Sequence, residues 1–370
     1  MTEDGNGKVG GAELSWRIGE VTVARVEENI IGLPTKVLVP DITPSQIEAQ
    51  RPWIDPYFMD RAAGGAALDH GGSADRSADR SADRSADGGA DGGADGNADG
   101  DGPVLRLSLH SFVIESGETT IVVDTCVGPD PERALQGDPG FGDRLASAID
   151  GGLEAVDVVV CTHLHFDHVG WNTVAVDGRL VPTFGNARYL ITRAEIEEME
   201  RDDHMAVNEP SVRPLAEAGV LDVIDLAGDG DGSGHRITDH VTLISTPGHT
   251  KGHVSVLIES AGAQALITGD AFHSPLQFAY PELAAWRFDS DSEQSTRTRL
   301  SLIDRFVDTD TLVLGTHFAP PTGGRLRRRH PGDHKPDGPA DPGEAPVPGG
   351  PAGPDDRSVW FDDGTTGSRP

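Results

Sequence analysis

The sequence predicts a layered α/β protein, because short apolar runs typical of buried strands alternate with segments of helical periodicity. The first predicted strands are "EVTVARVEENII" and the hairpin "LRLSLHSFVIESGETTIVVDT", whose two halves are joined by a Ser-Gly-Glu turn. Five shorter predicted strands follow: "VDVVV" (156–160), "ARYLIT" (187–192), "VTLIST" (241–246), "QALIT" (264–268) and "TLVLG" (311–315).

Helical patterns separate several of these strands, and they begin at Arg193, Ser211 and Ser292. Just before the last of these helices, Ser290 and Glu293 have the spacing of a capping box, so we expect them to close its N-terminus. The apolar face expected for this helix consists of Leu300, Ile303, Phe306 and Val307.

Composition divides the chain into a flexible N-terminus (1–16), a folded domain (17–324) and a disordered Pro- and Gly-rich tail (325–370). A second disordered segment is expected inside the domain at 62–103, where Ser-Ala-Asp-Arg units give way to Gly-Ala-Asp units. Such repeats carry no large apolar side chain, so they cannot offset the entropy lost on ordering. The insert is predicted to be a linker, and the alternative that it tethers a partner is left open.

The charge balance argues against two classes of partner. The chain has 30 Lys plus Arg and 61 Asp plus Glu, a formal net charge of -31, which disfavours binding to nucleic acid or to an anionic membrane. No stretch approaches the roughly 20 apolar residues of a membrane helix, and the N-terminus lacks the pattern of a signal peptide. With only Cys126 and Cys161, both in apolar strands, we expect a cytoplasmic protein without disulfides.

Candidate metal ligands follow four of the predicted strands. The motif "HLHFDH" comes directly after "VDVVV", and single candidates follow "VTLIST", "QALIT" and "TLVLG". If these strands lie side by side, their ends meet at one edge of a sheet, where loops can build a site on a rigid base. The seven candidates are His163, His165, Asp167, His168, His249, Asp270 and His317.

The residue types in this set favour catalytic zinc. Imidazole and carboxylate ligands without thiolates are typical of catalytic zinc, whereas structural zinc is usually closed by cysteines. Seven groups are too many for one tetrahedral ion, but two ions sharing one carboxylate would use them all. Two ions that share a carboxylate lie close enough to activate a water molecule and to bind an oxygen of the substrate.

Four motifs in this order, "HLHFDH", "TPGHTKGH", "TGDAFH" and "GTHFAPP", resemble those of the metallo-β-lactamase superfamily of dinuclear zinc hydrolases. The resemblance covers roughly residues 17–324 without the insert, and it implies an αββα sandwich, two sheets between layers of helices. Two departures from the family pattern, Cys126 for Gly and Lys251 for Pro, touch no implied ligand.

By this resemblance, one metal is held by three histidines, the other by an aspartate and two histidines, and Asp270 bridges both. Asp124 occupies the position of an aspartate that orients ligating imidazoles from behind the site. The implied ligands are His163, His165 and His249 for the first metal and Asp167, His168 and His317 for the second.

The resemblance implies metal-assisted hydrolysis, in which a hydroxide bridging two zinc ions attacks the substrate and Asp167 orients the hydroxide or carries its proton to the leaving group. Other divalent metals would also fit. The motif contexts are closest to lactonases and methyl parathion hydrolase-like enzymes, which favours an ester or lactone as the small-molecule substrate. Phosphotriester or β-lactam hydrolysis, a non-catalytic metal-binding or regulatory module, and a homodimer are left open.

Three further residues are left open as substrate contacts. Lys251 could attract an anionic substrate or be a solvated loop lysine, and His273 could face the substrate or make a structural hydrogen bond. Tyr280 belongs to a set of aromatic residues that could line a pocket or pack in the core. His253 and His110 are expected to be supporting or core histidines rather than ligands.

Overall fold

The structure is a computed structural model that describes residues 14–54, 57–60, 103–130, 135–201, 205, 208–226, 234–285, 287–328 and 359–362. The insert predicted at 62–103 lies outside these residues except for Pro103, and so does most of the tail. Among the described residues, no helix is both long enough and apolar enough to cross a membrane.

Two large sheets and a small hairpin contain the strands of the described residues. These are β1 (Leu14–Ile18), β2 (Val21–Pro34), β3 (Met59–Asp60), β4 (Val104–Ser116), β5 (Thr119–Val123), β6 (Val158–Val160), β7 (Thr173–Val176), β8 (Arg179–Pro182), β9 (Arg188–Thr192), β10 (Leu221–Ile224), β11 (His235–Arg236), β12 (Val241–Ser245), β13 (Val254–Ser260), β14 (Ala263–Ile267), β15 (Leu312–Leu314), β16 (Gly323–Arg328) and β17 (Val359–Asp362).

The first sheet has the order β1-β2-β4-β5-β6-β9-β10, with β3 paired to β4, and the second has the order β11-β12-β13-β14-β15-β16-β17. The pairs β5/β6, β6/β9, β9/β10 and β14/β15 are parallel. Because β5 and β6 run parallel, as do β14 and β15, the segments after each pair leave the sheet at the same edge. The hairpin β7-β8 stands apart from both sheets.

Helices cover the outer faces of the two sheets. In the described part of the chain they are α1 (Thr35–Leu38), α2 (Pro44–Ile54), α3 (Phe141–Ala148), α4 (Phe166–Val169), α5 (Arg193–Arg201), α6 (Arg213–Ala218), α7 (Leu276–Ala279) and α8 (Ser292–Phe306).

The central core lies between the two sheets and follows from the alternation of side chains along each strand. On β5, Ile121 and Val123 belong to this core, and Val256 of β13 and Ile267 of β14 come to it from the second sheet. Burying an aliphatic side chain of this size stabilises the fold by about 1.5–3 kcal/mol. The core therefore holds the two sheets face to face.

The intervening residues of the same strands point outward, toward the helices. Val122 packs with Phe141 and Leu145 of α3, and Leu266 packs with Leu302 of α8. The layers thus run helix, sheet, sheet, helix, which confirms the predicted αββα sandwich.

Backbone hydrogen bonds join the two sheets at the edge where the candidate ligands lie. Val254 N–H donates to the carbonyl of Thr162 at 2.9 Å, and Ser108 N–H donates to the carbonyl of His317 at 2.9 Å. Each bond links a strand of one sheet to the segment that follows a strand of the other. The ligand loops of the two sheets are therefore fixed relative to each other by the main chain.

The cap and the buried face of α8 differ from the sequence prediction. Asp291, rather than Ser290, caps the helix, and its Oδ1 accepts a hydrogen bond from Gln294 N–H at 2.9 Å. Leu300 is 45% exposed, whereas the buried face repeats at i, i+3, i+4 and i+7 from Arg299. The buried arginine in that repeat breaks the apolar pattern. The buried residues of α8 are Ser295, Thr298, Arg299, Leu302, Ile303 and Phe306.

Strands extend past both expected boundaries of the domain. β1 begins at Leu14, inside the segment expected to be flexible (1–16), and pairs with β2. β16 continues to Arg328, past the expected end at residue 324, and pairs with β17 from the tail. Ladder hydrogen bonds use the main chain, so polar side chains do not prevent such pairing.

Candidate metal centre

All seven predicted ligands lie together where loops leave the two sheets. The first four follow β6, within and just before α4, and the others follow β12, β14 and β15. His163, His168, His249, Asp270 and His317 are buried, while Asp167 is 19% exposed at its side chain. The predicted convergence of strand ends is therefore present in the fold.

The first group consists of His163, His165 and His249. His249 Nε2 lies 3.2 Å from His163 Nε2 and 2.9 Å from His165 Nδ1. Ligand nitrogens at 2.0–2.1 Å from a tetrahedral zinc ion would be about 3.3 Å apart. The three nitrogens therefore have the spacing of a three-imidazole metal site.

The second group consists of Asp167, His168 and His317. The Nε2 atoms of His168 and His317 are 3.3 Å apart, and Asp167 Oδ2 lies 3.8 Å and 3.6 Å from them. One carboxylate and two imidazoles suit a divalent transition metal. This group could hold a second ion.

Asp270 lies between the two groups. Its Oδ2 is 3.1 Å from His317 Nε2 and 3.3 Å from His168 Nε2, and it is 3.5 Å from His249 Nε2 and 3.8 Å from His163 Nε2. Its Oδ1 is buried without a hydrogen-bond partner among the described residues. A buried carboxylate oxygen without a partner is costly unless a cation binds it, so this residue fits a bridging ligand.

Asp124 fixes the orientation of two of these histidines. His168 Nδ1–H donates to its Oδ2 at 2.9 Å, and the Thr162 hydroxyl donates to the same oxygen at 2.8 Å. Because the hydroxyl proton is used there, Thr162 Oγ1 accepts from His163 Nδ1–H at 3.0 Å. Both rings therefore turn Nε2 toward the site, one from each group.

The pKa values of the histidines differ between the groups. Burial lowers the pKa of His163, His165 and His249, so these imidazoles are neutral at pH 7 with free lone pairs. Burial acts in the same direction on His168 and His317, but nearby carboxylates, Asp270 first, outweigh it and raise the pKa of both. The second group therefore holds protons that a metal would displace.

His253 holds the main chain of Asp270 through a hydrogen bond. Sequence analysis expected His253 only to be a supporting or core histidine. Its Nδ1–H donates to the Thr246 carbonyl at 3.0 Å, so its Nε2 accepts from Asp270 N–H at 2.8 Å. Burial lowers the pKa of His253 to about 4, which keeps the ring neutral. Both ring nitrogens are in use, so His253 positions Asp270 and is not a ligand.

Sequence analysis missed Glu195, which ties together the loops of the first group. Its Oε2 accepts from Leu164 N–H at 2.9 Å and its Oε1 accepts from Gly252 N–H at 2.8 Å. Burial raises the pKa of Glu195 to about 7. The sequence shows Glu195 as one of several acidic residues in the predicted helix "RAEIEEMERDD". Nothing in that pattern indicates that this glutamate is fully buried.

Sequence analysis also missed Asp289, whose Oδ1 lies 3.1 Å from His249 Nδ1. A carboxylate can only accept here, so His249 carries its proton on Nδ1 and directs Nε2 toward the first group. His317 is fixed in the same way by its Nδ1–H, which donates to the carbonyl of Ser108 at 3.1 Å. The sequence around residue 289 contains no motif that marks this role.

The residues left open as substrate contacts have different surroundings. His273 is buried beside the site, with Nε2 3.3 Å from Asp270 Oδ2 and no hydrogen-bond partner at Nδ1 among the described residues. Lys251 is 64% exposed and its ammonium lies 3.8 Å from Glu198. The hydroxyl of Tyr280 donates to the carbonyl of Gln46 at 3.3 Å. Of the three, only His273 reaches the ligand groups.

The comparison with protein families now identifies the class. The model of the metallo-β-lactamase superfamily matches residues 106–336, which include every residue of both groups and Asp270. The chain belongs to the metallo-β-lactamase superfamily and is a hydrolase of that superfamily.

Individual relatives agree with this assignment. The chain is 28% identical to an N-acyl homoserine lactonase from a Bacillus species over 218 residues, which are 54% of this chain and 77% of that protein. Among solved structures, the hydrolase AbOPH of the β-lactamase superfamily has a TM-score of 0.62 at 19% identity, covering 96% of this chain and 98% of the other. The dizinc quorum-quenching lactonase AidC has a TM-score of 0.59 at 17% identity, with coverages of 88% and 96%. These two structures support the fold.

Proposed function

We propose that the protein hydrolyses an ester or lactone with the help of two divalent metal ions, zinc in the first instance. The observation that carries the proposal is the convergence of two ligand groups on one buried carboxylate, Asp270. The first group would hold one ion, the second group would hold the other, and Asp270 would contact both. Its Oδ1, which has no hydrogen-bond partner among the described residues, and the facing imidazole nitrogens are suited to bind such ions.

The bound ions would supply Lewis acidity, which lowers the pKa of water and polarises a substrate carbonyl. Asp167 is the group proposed to move the proton, because its side chain is partly exposed while Asp270 is buried. It would accept a proton from the attacking water and donate it to the leaving alkoxide oxygen. The acyl carbon gains one oxygen and the ring or ester C–O bond breaks, so the products are an acid and an alcohol.

The substrate class rests on the relatives rather than on the metal ligands alone. Related proteins named N-acyl homoserine lactonases align with over half of this chain. A fold shared with lactonases and other hydrolases does not by itself select one substrate. A lactone or ester is therefore the first class to test, with phosphotriesters and β-lactams as the comparison.

The test compares chelator-treated protein with the same protein after zinc is restored, on a panel of lactones, aryl esters, phosphotriesters and β-lactams. We expect turnover to vanish on metal removal and to return with about two zinc ions per chain, highest for a lactone or ester. Restored turnover confined to phosphotriesters or β-lactams would contradict the substrate class. Two bound zinc ions without turnover on any substrate would favour a non-catalytic module.

A further inference from the structure

Behind the first group lies a buried ion pair that the family motifs do not contain. The side chains of Asp289 and Arg299 are both 0% exposed, and Arg299 Nη1 lies 3.8 Å from Asp289 Oδ2. The other carboxylate oxygen, Asp289 Oδ1, accepts from His249 Nδ1–H at 3.1 Å. A buried charge pair directed at a candidate ligand is costly to maintain without a use.

Three hydrogen bonds fix the guanidinium of Arg299. Its Nε donates to the carbonyl of Pro281 at 2.7 Å, its Nη1 to Ser295 Oγ at 2.7 Å and its Nη2 to Thr296 Oγ1 at 3.1 Å. Asp289 is held in turn, since Ala285 N–H donates to its Oδ2 at 3.2 Å. Neither partner of the pair is free to turn away from His249.

The main chain around Asp289 also holds the loop that carries His249. Ser290 N–H donates to the carbonyl of His249 at 2.8 Å, and Asp291 N–H donates to the carbonyl of Gly248 at 2.9 Å. Gly248 has φ +132°, and a Cβ there would lie 2.2 Å from Ser295 N at the start of α8. Because the two backbones approach so closely, the segment before α8 can hydrogen-bond to both the main chain and the imidazole ring of His249.

We propose that Asp289, anchored by Arg299, is a positioning residue that sets the tautomer and direction of His249 for metal binding in the first group. The inference rests on the proposed metal site. It gives the first group its own carboxylate support, separate from Asp124, which supports His168 directly and His163 through Thr162. An acceptor behind a ligating imidazole fixes the ring and raises its basicity toward the metal.

The experiment measures zinc binding to the full chain by competition with a chromophoric chelator, alongside Co²⁺ absorption spectra. Asp289→Asn is expected to lower the affinity for one of the two zinc ions about 10–100-fold and to leave the affinity for the other near its wild-type value. It should also change the Co²⁺ spectrum of one site. The matched control is Asp304→Asn, which removes the charge of an exposed aspartate on α8. It should bind both ions as the wild type does.

A second variant separates positioning from a structural effect of the unpaired arginine. In Asp289→Asn with Arg299→Met, neither buried charge remains, yet His249 still lacks its anionic acceptor, so weak binding of one ion should persist. Wild-type affinity in either this variant or the single variant would overturn the inference while leaving the proposed function intact. If the wild type takes up no zinc, the proposed function and the inference both fail. Circular dichroism and thermal unfolding of the metal-free variants confirm that each is folded.

Discussion

The two ligand groups are close in space but differ in charge. The first group has three imidazoles whose pKa values are lowered, first by burial, so it is neutral without metal. In the second group, nearby carboxylates raise the pKa of His168 and His317 although burial acts in the opposite direction. These histidines therefore bind protons more readily when no metal is present. The same type of ligand therefore behaves differently according to the carboxylates around it.

The groups also differ in how they are supported. His249 of the first group is backed by Asp289, and its loop is joined to the loop of His163 through Glu195. His168 of the second group is backed by Asp124. In each group a carboxylate accepts from one ligand histidine, and only in the first group is a further carboxylate, Glu195, known among the described residues to join two ligand loops. This difference can be tested by variants that affect both groups or only one.

The largest effect is expected for Asp270→Asn, because this carboxylate is proposed to contact both metal ions. The substitution keeps the shape but removes the charge, so zinc should fall below two ions per chain and turnover should drop on the order of 10³-fold or more. Metal analysis and steady-state kinetics measure the two quantities. Two tightly bound zinc ions with full turnover would show that the groups do not share Asp270.

Asp124→Asn should weaken metal binding by about 10–100-fold, more at the second group than at the first. The carboxylate accepts directly from His168, but it reaches His163 only through the Thr162 hydroxyl. Chelator competition gives the two affinities separately. Thr162→Val is the matched control and should weaken the first group alone; an effect of Asp124→Asn confined to the first group would contradict this arrangement.

The dependence of stability and zinc binding on pH should distinguish the two ligand groups in the wild-type protein. Since His168 and His317 have raised pKa values, their contribution to the stability of the metal-free protein is present below the unfolded pKa of about 6.5 and is lost as pH rises through the folded values. For the first group the pKa values are lowered, so its contribution is present above about 6.5 and is lost as pH falls.

Metal competes with these protons, so lowering the pH from 8 to 6 should release zinc from the second group before the first. Titration of zinc at several pH values, with Co²⁺ spectra to distinguish the sites, measures the order of release. Loss of both ions at the same pH would mean that the difference in charge between the groups has no effect on binding.

The smallest effect is expected for Glu195→Gln. An amide can accept from only one of the two N–H groups that Glu195 now binds, so the free energy of unfolding should fall by about 1–3 kcal/mol, with a few-fold loss of zinc affinity at the first group. Urea unfolding and chelator competition test this. Glu200→Gln, an exposed position on the same helix, should change neither quantity.

Local patterns were sufficient to predict a layered α/β protein and the candidate ligands, whereas the αββα sandwich was implied by the resemblance of the four motifs to a known superfamily. Strands such as β6 and β14 are continuous apolar runs, and "HLHFDH" places its ligands within six positions after one of them. The face of α8 was predicted wrongly at Leu300, since the rule that charged residues lie outside fails for a paired arginine such as Arg299. Composition gave no sign of β1 or of the end of β16, because main-chain pairing does not depend on apolar side chains.

By itself the sequence determined which residues are candidate metal ligands, because residue type and spacing within a motif are local properties. Folding then brings the separate motifs together at one edge of the sheets. The tertiary structure alone decided what supports them. Asp289 lies 40 positions from His249, and Glu195 lies 31 positions from Leu164, so no short motif records either contact. Burial then decided their chemistry, since the pKa of Glu195 or of His168 depends on how much water is removed and on which charges remain nearby.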